Sequence, residues 1–296
     1  MVRAQRDDGV DDPMGLMAHT EIGLCWGTLQ NASLPELIDA AGAYGFPTLS
    51  VRPQMVLGAL EHKLDAAALR RRLDDAGVVI RVIDAIGGDL PGAITGGASG
   101  WVPASAAACF RAAEAVEAPI VNICHWRFAG EPPGLPEMTD AVGAITRDAA
   151  ARGLRIVVEF VPDSGIPDLS FAMAIVEGID LPTCGVLLDP WHLARSGGTV
   201  DDLRSLPSGA IGAFQLDDRS APPSGAPYLP MTGRDLPGEG ELPLRAIAMA
   251  ALNNNPALTA EVEVFNDELR SLSSGEAAKR VRAALDAWLA GWEEQR

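Results

Sequence analysis

The amino-acid sequence predicts an α/β protein, a single-domain (β/α)8 barrel, and three observations carry that prediction. Short apolar runs rich in β-branched residues alternate with Ala/Leu-rich amphipathic segments, eight times over. Three strand-to-helix connections are long, whereas the helix-to-strand connections stay short, so one face of the molecule carries the elaborate loops. Acids and amides interrupt the apolar runs near their carboxyl ends, the rim on which a barrel builds its site. The chain's 296 residues suit such a barrel, which runs near ~250. Hydrophobic residues make up 48 % of the chain, enough to fill one large core.

The elements follow in order. Residues 1–19 hold Asp7, Asp8, Asp11 and Asp12 and no long apolar run, which reads as a flexible solvated tail, not a secretory signal. The domain is placed at 20–296, and its first strand at 21–26. The turn that follows, Trp26-Gly-Thr-Leu, lacks the glycine fingerprint of a dinucleotide site, which counts against a doubly wound open sheet. A helix near 34–43 opens with Ser33 as cap, and the second strand lies at 47–52. Asp65 opens a helix within 63–76, before the third strand at 78–84 and a Gly-rich loop at 87–102. A helix at 103–117, a strand at 119–125, a loop at 126–136 and a helix at 137–152 come next. The fifth strand (154–160), a helix (168–178) and the sixth strand (184–189) lead to a helix at 199–206 capped by Thr199. The seventh strand (210–216) feeds a Pro- and Gly-rich loop at 217–241 and a helix at 242–254, and the last pair lies at 257–264 and 275–292.

Charge and cysteine usage narrow the partners. The net charge is −17, lysine is nearly absent, and the one basic run, Arg70-Arg71-Arg72, is followed by Asp74 and Asp75. A chain that binds duplexes needs a basic face to neutralise phosphates, so nucleic acid is excluded as the expected partner. Cys25, Cys109, Cys124 and Cys184 show no C-x-x-C pairing and sit in apolar stretches, the pattern of free thiols in a reducing cytoplasm. No stretch reaches membrane-spanning length, so no membrane is expected.

The chemistry lies at the strand ends. Glu159 is a lone acid in Ile156-Val-Val-Glu159-Phe-Val, and burying it requires a metal ion, a catalytic role or an arginine partner. Asp189 precedes Pro190, which stops the sixth strand, and His192 follows three positions later; a helix cap explains that spacing as well as a ligand does. Gln215 and Asp217 share one face of the seventh strand, and Glu261 and Glu263 one face of the eighth, Glu263 being nearer its carboxyl end. Glu159, Asp189, Gln215 and Glu263 ring one point only if the sheet closes, and their oxygens suit a hard divalent ion such as Mg2+ or Mn2+. Trp26, Arg52, Asp84, His125 and Trp126 close strands one to four on the same face. There Trp26, His125 and Trp126 are candidates to stack on or hydrogen-bond a ring substrate, with packing beneath the loops as the competing reading.

Val-Val-Glu159-Phe, Leu-Leu-Asp189-Pro-Trp-His192, Phe-Gln215-Leu-Asp-Asp, Gly-Arg234-Asp-Leu-Pro-Gly-Glu-Gly and Glu-Val-Glu263-Val-Phe-Asn resemble the xylose isomerase-like TIM barrels. That superfamily of sugar phosphate isomerases and epimerases includes ketose 3-epimerases, inosose dehydratases and 3-dehydroshikimate dehydratases. The resemblance covers roughly residues 20–290 and is specific from the fifth strand onward. It implies that Glu159, Asp189 and Glu263 hold a divalent metal ion, with Glu159 and Glu263 as the catalytic proton-transfer pair and His192 and Arg234 on substrate oxygens. The implied reaction is isomerisation or epimerisation of a small polyhydroxylated carbonyl compound, by proton abstraction beside the carbonyl. Gln215 departs from the histidine that sugar epimerases of the family place on strand seven. An amide there is similar to some dehydratases, so the alternative is a lyase acting on a cyclic hydroxyketone. Members are commonly dimers or tetramers, which makes a homo-oligomer compatible with the resemblance.

Overall fold

A computed structural model of the chain describes residues 21–61, 65–94, 103–126, 131–179, 181–220 and 231–293. The predicted tail at 1–19 lies outside the described residues, as do 95–102, 127–130 and 221–230 within the three long loops. Eight strands, β1 (Ile22–Cys25), β2 (Thr48–Val51), β3 (Val79–Ile86), β4 (Ile120–Cys124), β5 (Arg155–Glu159), β6 (Cys184–Leu188), β7 (Ile211–Leu216) and β8 (Thr259–Val262), pair in parallel in chain order. The ring closes where β1 meets β8, with Ile22 opposite Ala260 and Leu24 opposite Val262. The expected barrel and its single domain are therefore the observed architecture.

The helices are α1 (Leu34–Ala43), α2 (Pro53–Glu61), α3 (Ala66–Ala76), α4 (Ala106–Val116), α5 (Leu135–Ala151), α6 (Leu169–Ile179), α7 (Pro190–Arg195), α8 (Val200–Arg204), α9 (Leu244–Asn254), α10 (Asp267–Ser271) and α11 (Ser274–Glu293). Ser33 and Glu36 form a reciprocal capping box at α1, Thr199 and Asp202 form another at α8, and Asp65 caps α3 by accepting from the Ala68 N–H. Helices α2, α7 and α10 were not expected. Each follows a strand end closely, and Pro190, which reads as a strand stop, and Pro53 occupy first helical turns where the missing N–H costs nothing.

Alternation along the strands sets what each face meets. Leu24, Leu49, Val158, Val186, Phe214 and Val262 point outward into the main core beneath the helices. Inside the barrel, Val82, Ile120, Val157, Leu187 and Ala213 form a small separate apolar floor. The β8–β1–β2 side of the interior is polar, carrying Glu261, Thr48 and Ser50, all buried. Gly23 lies between them: a Cβ there would stand 2.4 Å from the Thr48 carbonyl oxygen, so only glycine allows β1 and β2 this approach. The four cysteines are buried and free, and among the described residues no helix is long and apolar enough to cross a membrane.

Candidate active site and metal centre

The site stands on the apolar floor, and each of its acids arrives on the end of a different strand. On β5, Glu159 is buried; its Oε1 lies 3.3 Å from His192 Nε2, and its Oε2 accepts from the Asn122 amide at 2.7 Å. Asp189 leaves β6 as the N-cap of α7. Its Oδ1 accepts from the His192 backbone N–H at 2.8 Å, while Oδ2 faces Arg234 Nη1 at 2.5 Å and His192 Nε2 at 3.5 Å. The Asp-x-x-His spacing is thus a cap and a site element at once. The cap uses one oxygen and the first turn of α7 swings the imidazole back over the other.

On β7, Gln215 is buried and its Oε1 has no hydrogen-bond partner among the described residues. Two positions on, Asp217 accepts from Arg234 Nη1 at 2.9 Å and from the Trp191 N–H at 3.3 Å. Glu263 follows β8, with Oε1 accepting from the Cys25 thiol at 3.0 Å and Oε2 3.4 Å from Arg234 Nη1. Arg234 is wholly buried and fixed at its backbone, donating its N–H to the Phe265 carbonyl and accepting at its own carbonyl from the Asn266 amide. One guanidinium nitrogen therefore touches Asp189, Asp217 and Glu263.

On the opposite flank, Asp84 of β3 accepts from Trp26 Nε1 and from the Asn122 amide, each at 2.7 Å. Burial, reinforced by the charge of Glu159, pushes the Asp84 carboxyl up to about 6. Burial likewise pushes Glu263 well above the carboxylate range; Arg234 opposes this, and the charges of Asp84, Glu159 and Asp189 add to it. Asp217 is raised by burial and by the charge of Asp189. Asp189 is the exception. Burial would raise it too, but Arg234, His192 and the capped N–H together hold it below its ordinary value.

These residues fit a divalent cation. Three buried acids, Asp189, Asp217 and Glu263, share a single guanidinium while Glu159 faces His192, and an uncompensated buried charge is costly. Ligand atoms of Glu159, Asp189 and His192 lie within 4.8 Å of one another, and the orphaned Gln215 oxygen is of the kind an ion satisfies. Cys25, Asp84 and Glu263 form a second group within the same spacing.

The remaining predicted residues fall around this centre. His125 is buried with both ring nitrogens spent on backbone: Nε2 donates to the Pro91 carbonyl and Nδ1 accepts from the Gly165 N–H, each at 3.0 Å. Trp26 gives its indole N–H to Asp84 and meets the Phe265 ring edge-on at 5.7 Å, and Trp126 is half-buried after β4. Glu261 sits one layer below Glu263, opposite Gly23 and Gln215, its carboxyl raised to about 8 chiefly by burial. Sequence reasoning missed Asn122 and Cys25 and assigned Asp217 no role. Asn122 had a signal, a lone amide in the apolar run Ile-Val-Asn-Ile-Cys; Cys25 had none.

Comparison with known proteins gives the family and the fold. The model of the xylose isomerase-like TIM barrel family matches residues 38–291. The inosose isomerase of Bacillus licheniformis is 27 % identical over 132 residues, 44 % of this chain and 47 % of that protein. Its Bacillus subtilis counterpart is 26 % identical over 145 residues, 48 % of this chain and 51 % of that one, so the match spans about half the length of these curated relatives. The crystal structure of the IolI protein with a bound zinc atom superposes with a TM-score of 0.77 at 17 % identity, covering 92 % of this chain and 99 % of that one. D-psicose 3-epimerase in the presence of D-fructose gives 0.68 at 14 % identity, over 90 % of this chain and 97 % of that one. At such identities the superpositions speak for the fold. The family match, running from within α1 almost to the end of α11, makes the chain a member of the xylose isomerase-like TIM barrels.

Proposed function

We propose that the chain is a divalent-metal-dependent isomerase or epimerase that moves a proton at the carbon beside the carbonyl of a small polyhydroxylated ketone. The observation that carries this reading is the pair of buried acids, Glu159 and Glu263, which stand in two groups of ligand atoms linked through His192, Asp189 and Arg234. Glu159, Asp189, Gln215 and Glu263 would hold the ion. It would polarise the substrate carbonyl and lower the cost of the negative charge that develops when the α-proton leaves. One glutamate removes that proton and the other returns one; the raised Glu263 suits donation as well as acceptance. His192, with Nε2 among the acids, adds a nitrogen donor to an oxygen-rich set, so zinc joins Mn2+ and Mg2+ as an occupant. The zinc of the IolI structure supports that extension. Trp26 and Trp126, which follow β1 and β4, would contact the substrate.

The curated relatives named inosose isomerase favour a cyclic polyol ketone as the substrate class. A small-molecule partner agrees with the net charge of −17, and a cytoplasmic location with four buried, unpaired thiols. The second reading, a lyase that dehydrates a cyclic hydroxyketone, is favoured by Gln215 in place of a histidine on β7.

The test is incubation with Mn2+ and a panel of inososes, ketoses and 3-dehydroshikimate in D2O, followed by NMR and by ultraviolet absorbance. Deuterium entering beside the carbonyl without loss of water identifies the isomerase, and growth of a conjugated enone from an inosose, or of an aromatic ring from 3-dehydroshikimate, identifies the lyase. Glu263→Gln is expected to slow either reaction by roughly 10²–10⁴-fold. Turnover that survives this substitution at full rate would overturn the mechanism.

A further inference from the structure

Asn122 lies in the middle of β4, wholly buried and pointing into the barrel. Its amide nitrogen carries two hydrogens, and both go to acids: one to Asp84 Oδ1 and one to Glu159 Oε2, each at 2.7 Å. Turning the amide over would set its oxygen against two carboxylates, so its orientation is fixed. The amide oxygen, Oδ1, has no hydrogen-bond partner among the described residues. Packing does not demand this residue. The neighbouring floor of Val82, Ile120, Val157 and Leu187 is aliphatic, and a leucine of similar branched shape would carry no unpaired oxygen. A buried amide kept at that cost calls for a role in the site above it.

We propose that Asn122 is a positioning residue, whose doubly engaged amide sets the rotation of the Glu159 carboxylate so that Oε1 faces the ion-ligating cluster. Glu159 Oε2 is tied to β4, which leaves Oε1 directed at His192 Nε2, 3.3 Å away, on the Asp189 side. Asp84 completes the device from behind. Held by Trp26, it anchors the second hydrogen of the amide and stops the Asn122 side chain from rotating with its partner. Outer groups that orient ligands in this way tune metal affinity as the ligands themselves do. The inference rests on the metal-dependent reading above and assigns it a residue that lies outside the ligand set. Its rival is charge screening, in which Asn122 only separates the like charges of Asp84 and Glu159.

A double-mutant cycle on the full chain separates the two, with Mn2+ uptake followed by the paramagnetic resonance of the free ion. Asn122→Leu is expected to weaken Mn2+ binding 10–100-fold. Asp84→Asn keeps an oxygen that can accept from Asn122 but removes the like charge, so in that background the same substitution is expected to cost about the same factor. At saturating Mn2+, Asn122→Leu is expected to lower kcat more than it changes KM. If the factor vanishes in the Asp84→Asn background, Asn122 is a screen and the proposal is overturned; equal affinity of wild type and Asn122→Leu overturns it as well. Should Asn122→Leu fail to fold, Asn122→Val, smaller and suited to a strand, is measured against the same expectation. Wild-type protein that takes up no Mn2+ refutes the metal reading, and this inference falls with it; uptake by wild type and variant alike refutes this inference alone.

Discussion

Arg234 shows how far one residue's role depends on its neighbours. The family resemblance gives it a substrate oxygen to bind, yet its side chain is buried and one nitrogen lies within 3.4 Å of Asp189, Asp217 and Glu263. Such a guanidinium is the internal counter-charge of the site, and removing it leaves three acids facing one another in a dry interior. Arg234→Met is therefore expected to destabilise the ion-free protein by about 3–5 kcal/mol near neutral pH, measured by urea unfolding in a chelator. A residue serving only the substrate would raise KM and leave the unfolding midpoint where it was. That second pattern would return Arg234 to the substrate side.

At the scale of elements, His125 works as a tether, joining the end of β4 to the loop after β3 through Pro91 and to the loop after β5 through Gly165. Because Nδ1 accepts an N–H, a second ring proton has no place there, and burial lowers the pKa further from its ordinary value. The sign follows from proton uptake. Below the ordinary value near ~6.5 the unfolded chain binds a proton that the folded one refuses, so stability falls as pH falls through that region. Compared with His125→Gln, which does not titrate, the wild type is expected to lose unfolding free energy between pH 7.5 and 5. A difference between the two proteins that does not change with pH would remove the tether. The tether was not legible in the sequence, since Pro91 and Gly165 lie 34 and 40 positions away. Periodicity did reveal all eight strands, because each is a separate apolar run with turn residues on both sides. It missed α2, α7 and α10, helices of nine residues or fewer that begin where strand-ending signals stand. Glu159, Asp189, Gln215 and Glu263 were legible because a polar group in an apolar run is expensive and demands a reason. Asn122 and Cys25 took their meaning only from partners that closure of the barrel supplies.

Closure of the barrel also concentrates charge across the whole molecule. Asp84, Glu159, Asp189, Asp217, Glu261 and Glu263 line its interior, and Arg234 is the one buried arginine or lysine to meet them among the described residues. Protons can relieve this excess, as the raised carboxyls of Asp84 and Glu263 indicate, or a cation can. The two compete for the same oxygens, so an ion that binds must expel protons, and it gains affinity as pH rises. Mn2+ or Zn2+ at a hundred times its Kd is expected to stabilise the fold by about 2.7 kcal/mol. For a chain of 296 residues that raises Tm by roughly 4 °C, with chelation reversing the shift. The shift is expected to be larger at pH 8 than at pH 6, where protons already neutralise part of the ring. Thermal unfolding with Mn2+, Mg2+, Zn2+ or chelator at both pH values reads it directly. A Tm that no divalent ion moves at either pH would mean that protons alone balance the acids, leaving the barrel intact and the proposed metal centre without support.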